Sequence, residues 1–300
     1  MDFQHYSGEL AALGAAVFWT ITALSFEVAS KKVGSLAVNM IRLVIAFVLL
    51  MVFCYFYRGM ALPTDASAHA WIWLSLSGLI GFVFGDYFLF RAYAVISSRI
   101  AMLVMTLVPP ITAITGWLML GEVLSPLEVT GMVLTVSGIA MAVLNRKNDR
   151  RKLKLSYPLQ GILFALAGTV GQAIGLVLSK YGMQQYDAFA ATQIRVLTGM
   201  VGFAIIIAML RRWNLVSTAL KNKPGMTGIA IGSVFGPFLG VSFSLIAVKF
   251  ASTGVASTIM ATVPIMLIPP SVILFKQKLS PIEIIGAFIS VGGVALLFLK

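Results

Sequence analysis

The chain alternates between long apolar runs and short polar connections. Each run is long enough to cross a bilayer as a helix, which takes about 20 mainly apolar residues. The apolar residues within a run are nearly continuous, whereas strands of a membrane barrel alternate apolar and polar positions. The pattern therefore predicts an all-α polytopic membrane protein with ten transmembrane helices. The predicted spans are 8–29, 36–57, 70–92, 97–120, 126–144, 158–180, 187–210, 226–248, 253–275 and 281–299.

Composition supports the same class. Hydrophobic residues make up 59% of the 300 residues, charged residues make up 11%, and mean hydropathy is +0.97. A soluble domain carries about 25% charged residues, so an ordinary soluble enzyme, a disordered chain and a coiled coil are excluded. The net charge of +12 favours basic loops beside anionic lipid over nucleic-acid binding. With one cysteine and two distant histidines, we expect neither a metal site nor a cofactor.

The two halves of the chain are similar in sequence. A shift of 155 residues aligns 124–144 with 279–299, where 9 of 21 positions are identical, and it pairs Pro109 with Pro264. The halves are predicted to be 1–144 and 158–300, joined by a basic linker at 145–157. Because each half has five spans, the second copy must enter the membrane from the opposite side. The prediction is an inverted repeat, as in many secondary transporters.

The aligned segments share a Ser-Pro-x-Glu motif at the start of the fifth and tenth helices. Serine suits the N-cap, proline suits the first helical position, and glutamate at N3 completes a capping box. We therefore interpret Ser125, Glu128, Ser280 and Glu283 as structural residues rather than as chemical groups.

Taken together, these features resemble the EamA branch of the drug/metabolite transporter superfamily. The resemblance rests on ten spans in two five-helix repeats, on prolines in the fourth and ninth helices, and on Gly121-Glu122-x-Leu-Ser-Pro leading into Gly131 and Gly138. The second copy departs from it, since Lys276-Gln277-Lys278 replaces the Gly-Glu pair. The resemblance implies transport of small metabolites, amino acids or drugs, often outward.

The distribution of basic residues predicts an orientation. Sixteen Lys and Arg lie in or beside the connections after spans 1, 3, 5, 7 and 9, and four lie on the other side. The positive-inside rule then places the linker in the cytoplasm and both termini outside an inner membrane. The family resemblance instead implies both termini inside. No basic residue precedes the first run, so we expect a retained span rather than a signal peptide.

Three charged residues within predicted spans are candidate functional groups, because a charge in a bilayer is costly. Asp86 lies in the third span and is the candidate for binding a proton or a cationic group. The alternative is that it caps a helix or bridges two helices near the membrane interface. Arg42 and Arg195 are approximate repeat mates in spans two and seven. They would either snorkel and bridge helices or clamp a substrate carboxylate or phosphate. Glu27 is expected to form an i,i+4 ion pair with Lys31 rather than to act as a gating residue.

Prolines interrupt the backbone hydrogen bonds of the fourth and ninth predicted helices. In a membrane, such a break is tolerated only where it faces protein or a water-filled cavity. We therefore expect hinge or cavity roles for Pro109, Pro110, Pro264 and Pro269. Other polar or aromatic residues within the spans are candidate cavity contacts or interhelical bridges. These residues are Trp19, Thr20, Asn39, Tyr87, Gln172, Gln193, Ser242 and Ser244.

The leading functional hypothesis is a secondary transporter that works by alternating access, in which one central site is exposed to each side of the membrane in turn. It would act as an exporter or exchanger of a small organic solute. No Walker-type phosphate loop is present, so protons, exchange or the solute gradient would supply energy. Its partners would be the solute, possible protons and membrane lipids, and a monomer would suffice. The alternatives are a channel, a lipid flippase or a scaffold, and an intramembrane aspartyl protease using Asp86 and Asp187. The order and spacing of the Gly-Asp motifs argue against the protease.

Overall fold

The computed structural model describes residues 7–120, 126–146, 153–155, 157–250, 256, 259–276 and 280–296. The first half consists of α1 (Ser7–Val33), α2 (Ser35–Arg58), α3 (Ala68–Gly78), α4 (Tyr87–Val104), α5 (Val108–Leu120) and α6 (Pro126–Val143). A π-helical segment, Leu79–Asp86, joins α3 to α4, and a 3-10 turn, Met105–Leu107, joins α4 to α5. Strands β1 (Leu144–Arg146) and β2 (Leu153–Leu155) pair antiparallel across the linker.

The second half consists of α7 (Leu159–Met183), α8 (Ala188–Met209), α9 (Trp213–Lys221), α10 (Lys223–Ser233) and α11 (Val241–Phe250), followed by α12 (Val263–Met266), α13 (Ile268–Phe275) and α14 (Pro281–Leu296). The π-helical segment Val234–Gly240 joins α10 to α11. Apart from the linker ribbon, the described chain is helical.

Six helical stretches are long and apolar enough to cross a membrane, and shorter apolar helices accompany them. The chain is therefore a polytopic membrane protein. One stretch, Ala68–Thr115, covers the third predicted span and most of the fourth. It is broken at Ser97, where φ is 71° and ψ is 159°, close to the boundary that the apolar pattern predicts between those spans. The short helix α9 was not predicted, since its mixed apolar and polar residues do not form a span.

A row of glycines brings α7 against α3 and α4. Gly161, Gly168, Gly175 and Gly182 recur every seven residues and face Ile96, Leu89, Gly81 and Trp73 in turn. A side chain at Gly175 would put its Cβ 2.9 Å from the Gly81 Cα. Small residues allow this backbone contact, which drives helix association in lipid, where the hydrophobic effect does not. A second row of glycines, Gly232, Gly236 and Gly240, packs closely against Phe26, Thr22 and Trp19 of α1.

Helices α6 and α14, which carry the repeated sequence motif, pack antiparallel against each other. A Cβ at Gly138 would lie 2.5 Å from the Gly286 carbonyl oxygen, and one at Gly293 would lie 2.5 Å from the Thr135 nitrogen. Pro126 and Pro281 each begin their helix, as predicted. Ser125 and the side chain of Glu128 lie outside the described residues.

This contact gives a stability prediction with a neighbouring control. Gly293→Ala forces a methyl group into the backbone of α6, whereas Gly292→Ala meets nothing within 4 Å. We expect Gly293→Ala to cost about 1–3 kcal/mol and to lower the melting temperature in detergent, with Gly292→Ala unchanged. Equal melting temperatures for the two variants would contradict this packing.

Candidate functional site

A cavity of about 140 Å³ lies among the helices. It is similar in size to the ~150 Å³ cavity that holds benzene in an engineered protein. Twenty of the described residues line it: Trp19, Phe82, Asp86, Leu89, Tyr93, Met102, Met105, Thr106, Val108, Pro109, Gln172, Leu176, Arg195, Val241, Ser244, Leu245, Met260, Ala261, Val263 and Pro264. Both halves of the chain contribute, so the site depends on how the halves pack.

Asp86 forms a buried ion pair with Arg42 at one wall of the cavity. The Arg42 Nη2 donates to Asp86 Oδ2 at 2.5 Å, and the two side chains are 1% and 5% exposed. The Gln172 Nε2 donates to the other carboxylate oxygen at 2.5 Å. The Arg42 Nε donates to Asn39 Oδ1 at 3.0 Å, and the guanidinium lies 4.6 Å from the centre of the Phe90 ring. Both charges are therefore compensated by several partners.

Arg195 also lines the cavity, and the described residues give it no ion-pair partner within 4.0 Å. It is 5% exposed, and its Nε has no hydrogen-bond acceptor among the described residues. Its guanidinium lies 4.8 Å from the centre of the Phe82 ring. Gly81 leaves room for it, because a Cβ there would be 3.2 Å from the Arg195 Nη2. The two predicted repeat mates thus differ, since Arg42 is paired and Arg195 faces the cavity.

The structure brings together some of the candidates from the sequence and leaves others apart. Trp19, Asp86, Gln172, Arg195, Ser244, Pro109 and Pro264 line the cavity. Arg42 and Asn39 lie behind Asp86, and Pro110 is buried outside the lining. The remaining candidates lie elsewhere. The Tyr87 hydroxyl accepts a hydrogen bond from Arg91, and Gln193 donates to the Ala61 carbonyl. Ser242 donates to Thr192, Thr20 donates to the Ala16 carbonyl, and Pro269 is exposed.

Four pairs of lining residues are related by the offset found in the sequence. The 155-residue shift that pairs Pro109 with Pro264 also pairs Met105 with Met260, and both methionines line the cavity. The same shift relates two further lining pairs, Thr106 with Ala261 and Val108 with Val263. Reasoning from the sequence missed these three pairs, and applying the offset around the prolines could have found them.

Polar contacts join the two halves of the chain at the end of the bundle where α7 and α14 begin, which we call the linker end. The Arg99 Nη1 donates to Glu283 Oε2 at 2.5 Å, and the Tyr157 hydroxyl donates to Glu283 Oε1 at 2.8 Å. The capping-box interpretation required Glu283 to act as a purely local cap. Its carboxylate instead binds Arg99, which belongs to α4 of the other half. Burial and the hydrogen bond to Glu283 raise the pKa of Tyr157 to about 12.

The predicted pair between Lys31 and Glu27 is confirmed at the same end, at 2.5 Å. Glu27 has a second role that the spacing does not reveal. Its Oε2 accepts from both the backbone nitrogen and the hydroxyl of Ser98, at 2.8 and 2.5 Å. It therefore caps the helix that resumes after the break at Ser97.

A second polar cluster lies at the opposite end, which we call the far end. Arg58 donates to Asp65 Oδ2 at 2.5 Å, and the Tyr186 hydroxyl donates to Asp65 Oδ1 at 2.7 Å. Burial opposes ionisation of Asp65, but hydrogen bonds from Tyr186 and Arg58 outweigh it and lower its pKa. Asp187 caps α8 by accepting from the Ala190 nitrogen at 2.9 Å. Like the linker end, the far end joins the two halves of the chain.

Comparisons with known proteins agree with this architecture. A solved crystal structure with 18% sequence identity covers 98% of this chain and 97% of its own, with a TM-score of 0.65, and it shows the fold alone. The human protein named solute carrier family 35 member G1 is 28% identical over 213 residues. That match covers 67% of this chain and 58% of the relative's length.

The fold and the cavity are those of a polytopic membrane protein with room for a small molecule between its helices. The model of the EamA-like transporter family matches residues 6–144 and again 159–299. The chain therefore belongs to the EamA-like transporter family, within the drug/metabolite transporter superfamily, as the sequence resemblance implied.

The ion pair gives a thermodynamic prediction. Removing one partner of a buried pair leaves an uncompensated charge and costs about 3–5 kcal/mol, so Arg42→Gln and Asp86→Asn should each lower the melting temperature strongly. The double variant should be more stable than the sum of the two losses implies. A matched control, Asp187→Asn, removes a partly exposed carboxylate that caps α8 and lies 3.9 Å from the Arg58 Nε, and it should cost about 1 kcal/mol. Additive losses for Arg42 and Asp86 would contradict the pair.

The raised pKa of Tyr157 gives a pH prediction at the linker end. Because the folded-state pKa of about 12 exceeds the ordinary value of 10.0, its contribution to stability is complete below pH 10 and is lost as pH rises towards 12. Tyr157→Phe should therefore flatten the alkaline fall in melting temperature relative to the parent. Tyr181→Phe, whose side chain is exposed at the far end, serves as the control. An unchanged alkaline profile for Tyr157→Phe would be the contrary result.

Proposed function

We propose that the protein is a secondary transporter that moves a small organic solute by alternating access. The observation that carries the proposal is the position of the cavity, between two polar clusters that each join one half of the chain to the other. Opening one cluster while the other stays closed would expose the cavity to one side at a time. Export or exchange is the proposed direction, and a monomer is proposed to suffice because described residues from both halves of the chain line the cavity.

Two inverted five-helix repeats, residues 1–144 and 158–300 with a linker at 145–157, are the proposed basis of this movement. The family model matches twice, and the 155-residue offset relates cavity-lining residues of the fourth and ninth spans. The break at Ser97 also lies between two predicted spans. These observations support ten spans, with an odd number in each half and hence opposite orientation.

The linker end is proposed to face the cytoplasm of the inner membrane, with both termini outside. The excess of basic residues in connections on that side supports this orientation. Asp86 remains the candidate for proton coupling because it borders the cavity. In the present state its carboxylate is engaged by Arg42 and Gln172, so coupling would require that pair to open during the cycle.

The alternatives are less well supported. A channel needs a path open at both ends, whereas polar contacts join the two halves of the chain at both ends here. A lipid flippase or scaffold would not need the cluster of compensated charges beside the cavity. The protease hypothesis needs two aspartates sharing a proton. Asp86 is bonded to Arg42, and Asp187 caps α8 at the far end.

Accessibility of Ser244 tests alternating access. Ser244 is 7% exposed, lines the cavity and accepts a hydrogen bond from Trp19. In a Cys54→Ala background, Ser244→Cys would be labelled from either membrane face with a membrane-impermeant anionic methanethiosulfonate. Glu283→Gln weakens the linker end and should raise labelling from the cytoplasmic face. Asp65→Asn weakens the far end and should raise it from the other face.

Lys31→Gln is the matched control for this experiment. It breaks an ion pair within α1 at the linker end without separating the halves, and it should leave labelling close to that of the parent. If Glu283→Gln or Asp65→Asn raised labelling equally from both faces, the protein would behave as a channel and the proposal would be wrong.

A further inference from the structure

Three charged side chains meet at the wall of the cavity, and their charges do not cancel. Arg42 and Asp86 neutralise each other through a direct ion pair. Arg195 brings a second positive charge, since a guanidinium stays protonated in proteins. Among the described residues that line the cavity, Asp86 is the one that carries negative charge. The site therefore has an excess charge of +1 in the absence of ligand.

An uncompensated charge away from water is costly, and the partners that Arg195 has are weak ones, the ring of Phe82 and the more distant charge of Asp86. Arg195 is 5% exposed, and its Nε lacks an acceptor among the described residues. The oxygens of Asp86 already accept from Arg42 and Gln172. A ligand that brings one negative charge to Arg195 would neutralise the excess charge of the site.

We propose that the cavity binds a small organic monoanion whose carboxylate pairs with Arg195. The proposal rests on the transporter function above and specifies its substrate class. A planar guanidinium matches a carboxylate through two parallel hydrogen bonds. A single excess charge is balanced by a monocarboxylate, while a dianion such as a phosphate monoester would leave a negative charge uncompensated.

The other residues that line the cavity determine which groups the ligand can carry beside its carboxylate. Leu89, Met102, Met105 and Leu245 supply apolar surface, and the flexible methionine side chains adapt to ligand shape. Because the Asp86 carboxylate is already bonded, no lining carboxylate among the described residues is free for a ligand ammonium group. A zwitterionic amino acid would also leave the excess charge of the site unbalanced. The favoured ligand is a short branched or aromatic acid without a charged amine.

Three probes of similar shape separate these possibilities. Leucine is zwitterionic, 4-methylpentanoate is leucine without its ammonium group, and 3-methylbutylamine is leucine without its carboxylate. Binding is measured by calorimetry and by thermal shift on the full chain in phosphatidylcholine nanodiscs. We expect 4-methylpentanoate to bind at least tenfold more tightly than the other two. Stronger binding of leucine or of the amine would overturn the proposal.

Variants then test the role of Arg195. Arg195→Gln should weaken 4-methylpentanoate binding by roughly 30-fold or more, while the ligand-free protein melts at the same or a higher temperature because a buried charge is gone. Arg195→Lys should retain part of the affinity. Arg91→Gln is the control, since Arg91 stacks on Phe164 outside the cavity lining, and it should bind as the parent does. Unchanged affinity in a folded Arg195→Gln would overturn the proposal.

Two further arms separate the possible sources of failure. Stabilisation by phosphatidylglycerol nanodiscs but not by 4-methylpentanoate would identify a lipid headgroup as the anion and overturn a solute site. Counterflow in proteoliposomes separates binding from transport. Saturable flux of leucine or of the amine without flux of the acid would refute the substrate class alone. Arg195-dependent binding without saturable flux of any probe would support the anion site and refute the transporter.

Discussion

The rest of the site depends on the buried ion pair between Arg42 and Asp86. Two charges inside a membrane protein are tolerated only with close partners and additional hydrogen bonds. Here Asn39 bonds Arg42 and Gln172 bonds Asp86, so the pair joins α2, the segment after α3, and α7. Because α7 belongs to the other matched half, the same contacts that compensate the charges also fix one wall of the cavity.

Glycines make this arrangement geometrically possible. A Cβ at Gly171 would lie 2.6 Å from the Gly85 Cα, so the backbones of α7 and the π-helical segment touch beside Asp86. This approach brings Gln172 within reach of the carboxylate. Close backbone packing, charge compensation and the cavity are therefore parts of one structure, and the polar clusters at both ends hold the halves together around it. A transporter needs such separable contacts on either side of its site.

The sequence predicted the helical class and most of the boundaries because apolar length and short connections constrain a membrane protein strongly. It also identified Asp86, Arg195 and Gln172 from the rarity of polar residues in apolar runs. It could not separate the roles of Arg42 and Arg195, because pairing depends on neighbours contributed by other helices. For the same reason Gln193, which is similar to Gln172 in type and setting, turns to the Ala61 carbonyl instead. The Glu283 capping box was a local interpretation, and a long-range partner, Arg99, replaced it.

The charge of the cavity depends on the protonation state of Asp86, because an ionised Asp86 neutralises Arg42 and leaves Arg195 as the excess charge. Difference infrared spectroscopy tests this directly, by comparing the parent with Asp86→Asn in the ligand-free state at neutral pH. With Asp86 ionised, the substitution removes the antisymmetric stretch of an ionised carboxylate. Loss of a protonated carboxylic-acid carbonyl band instead would contradict this charge balance, because the cavity would then carry two excess positive charges and a monoanion would not balance it.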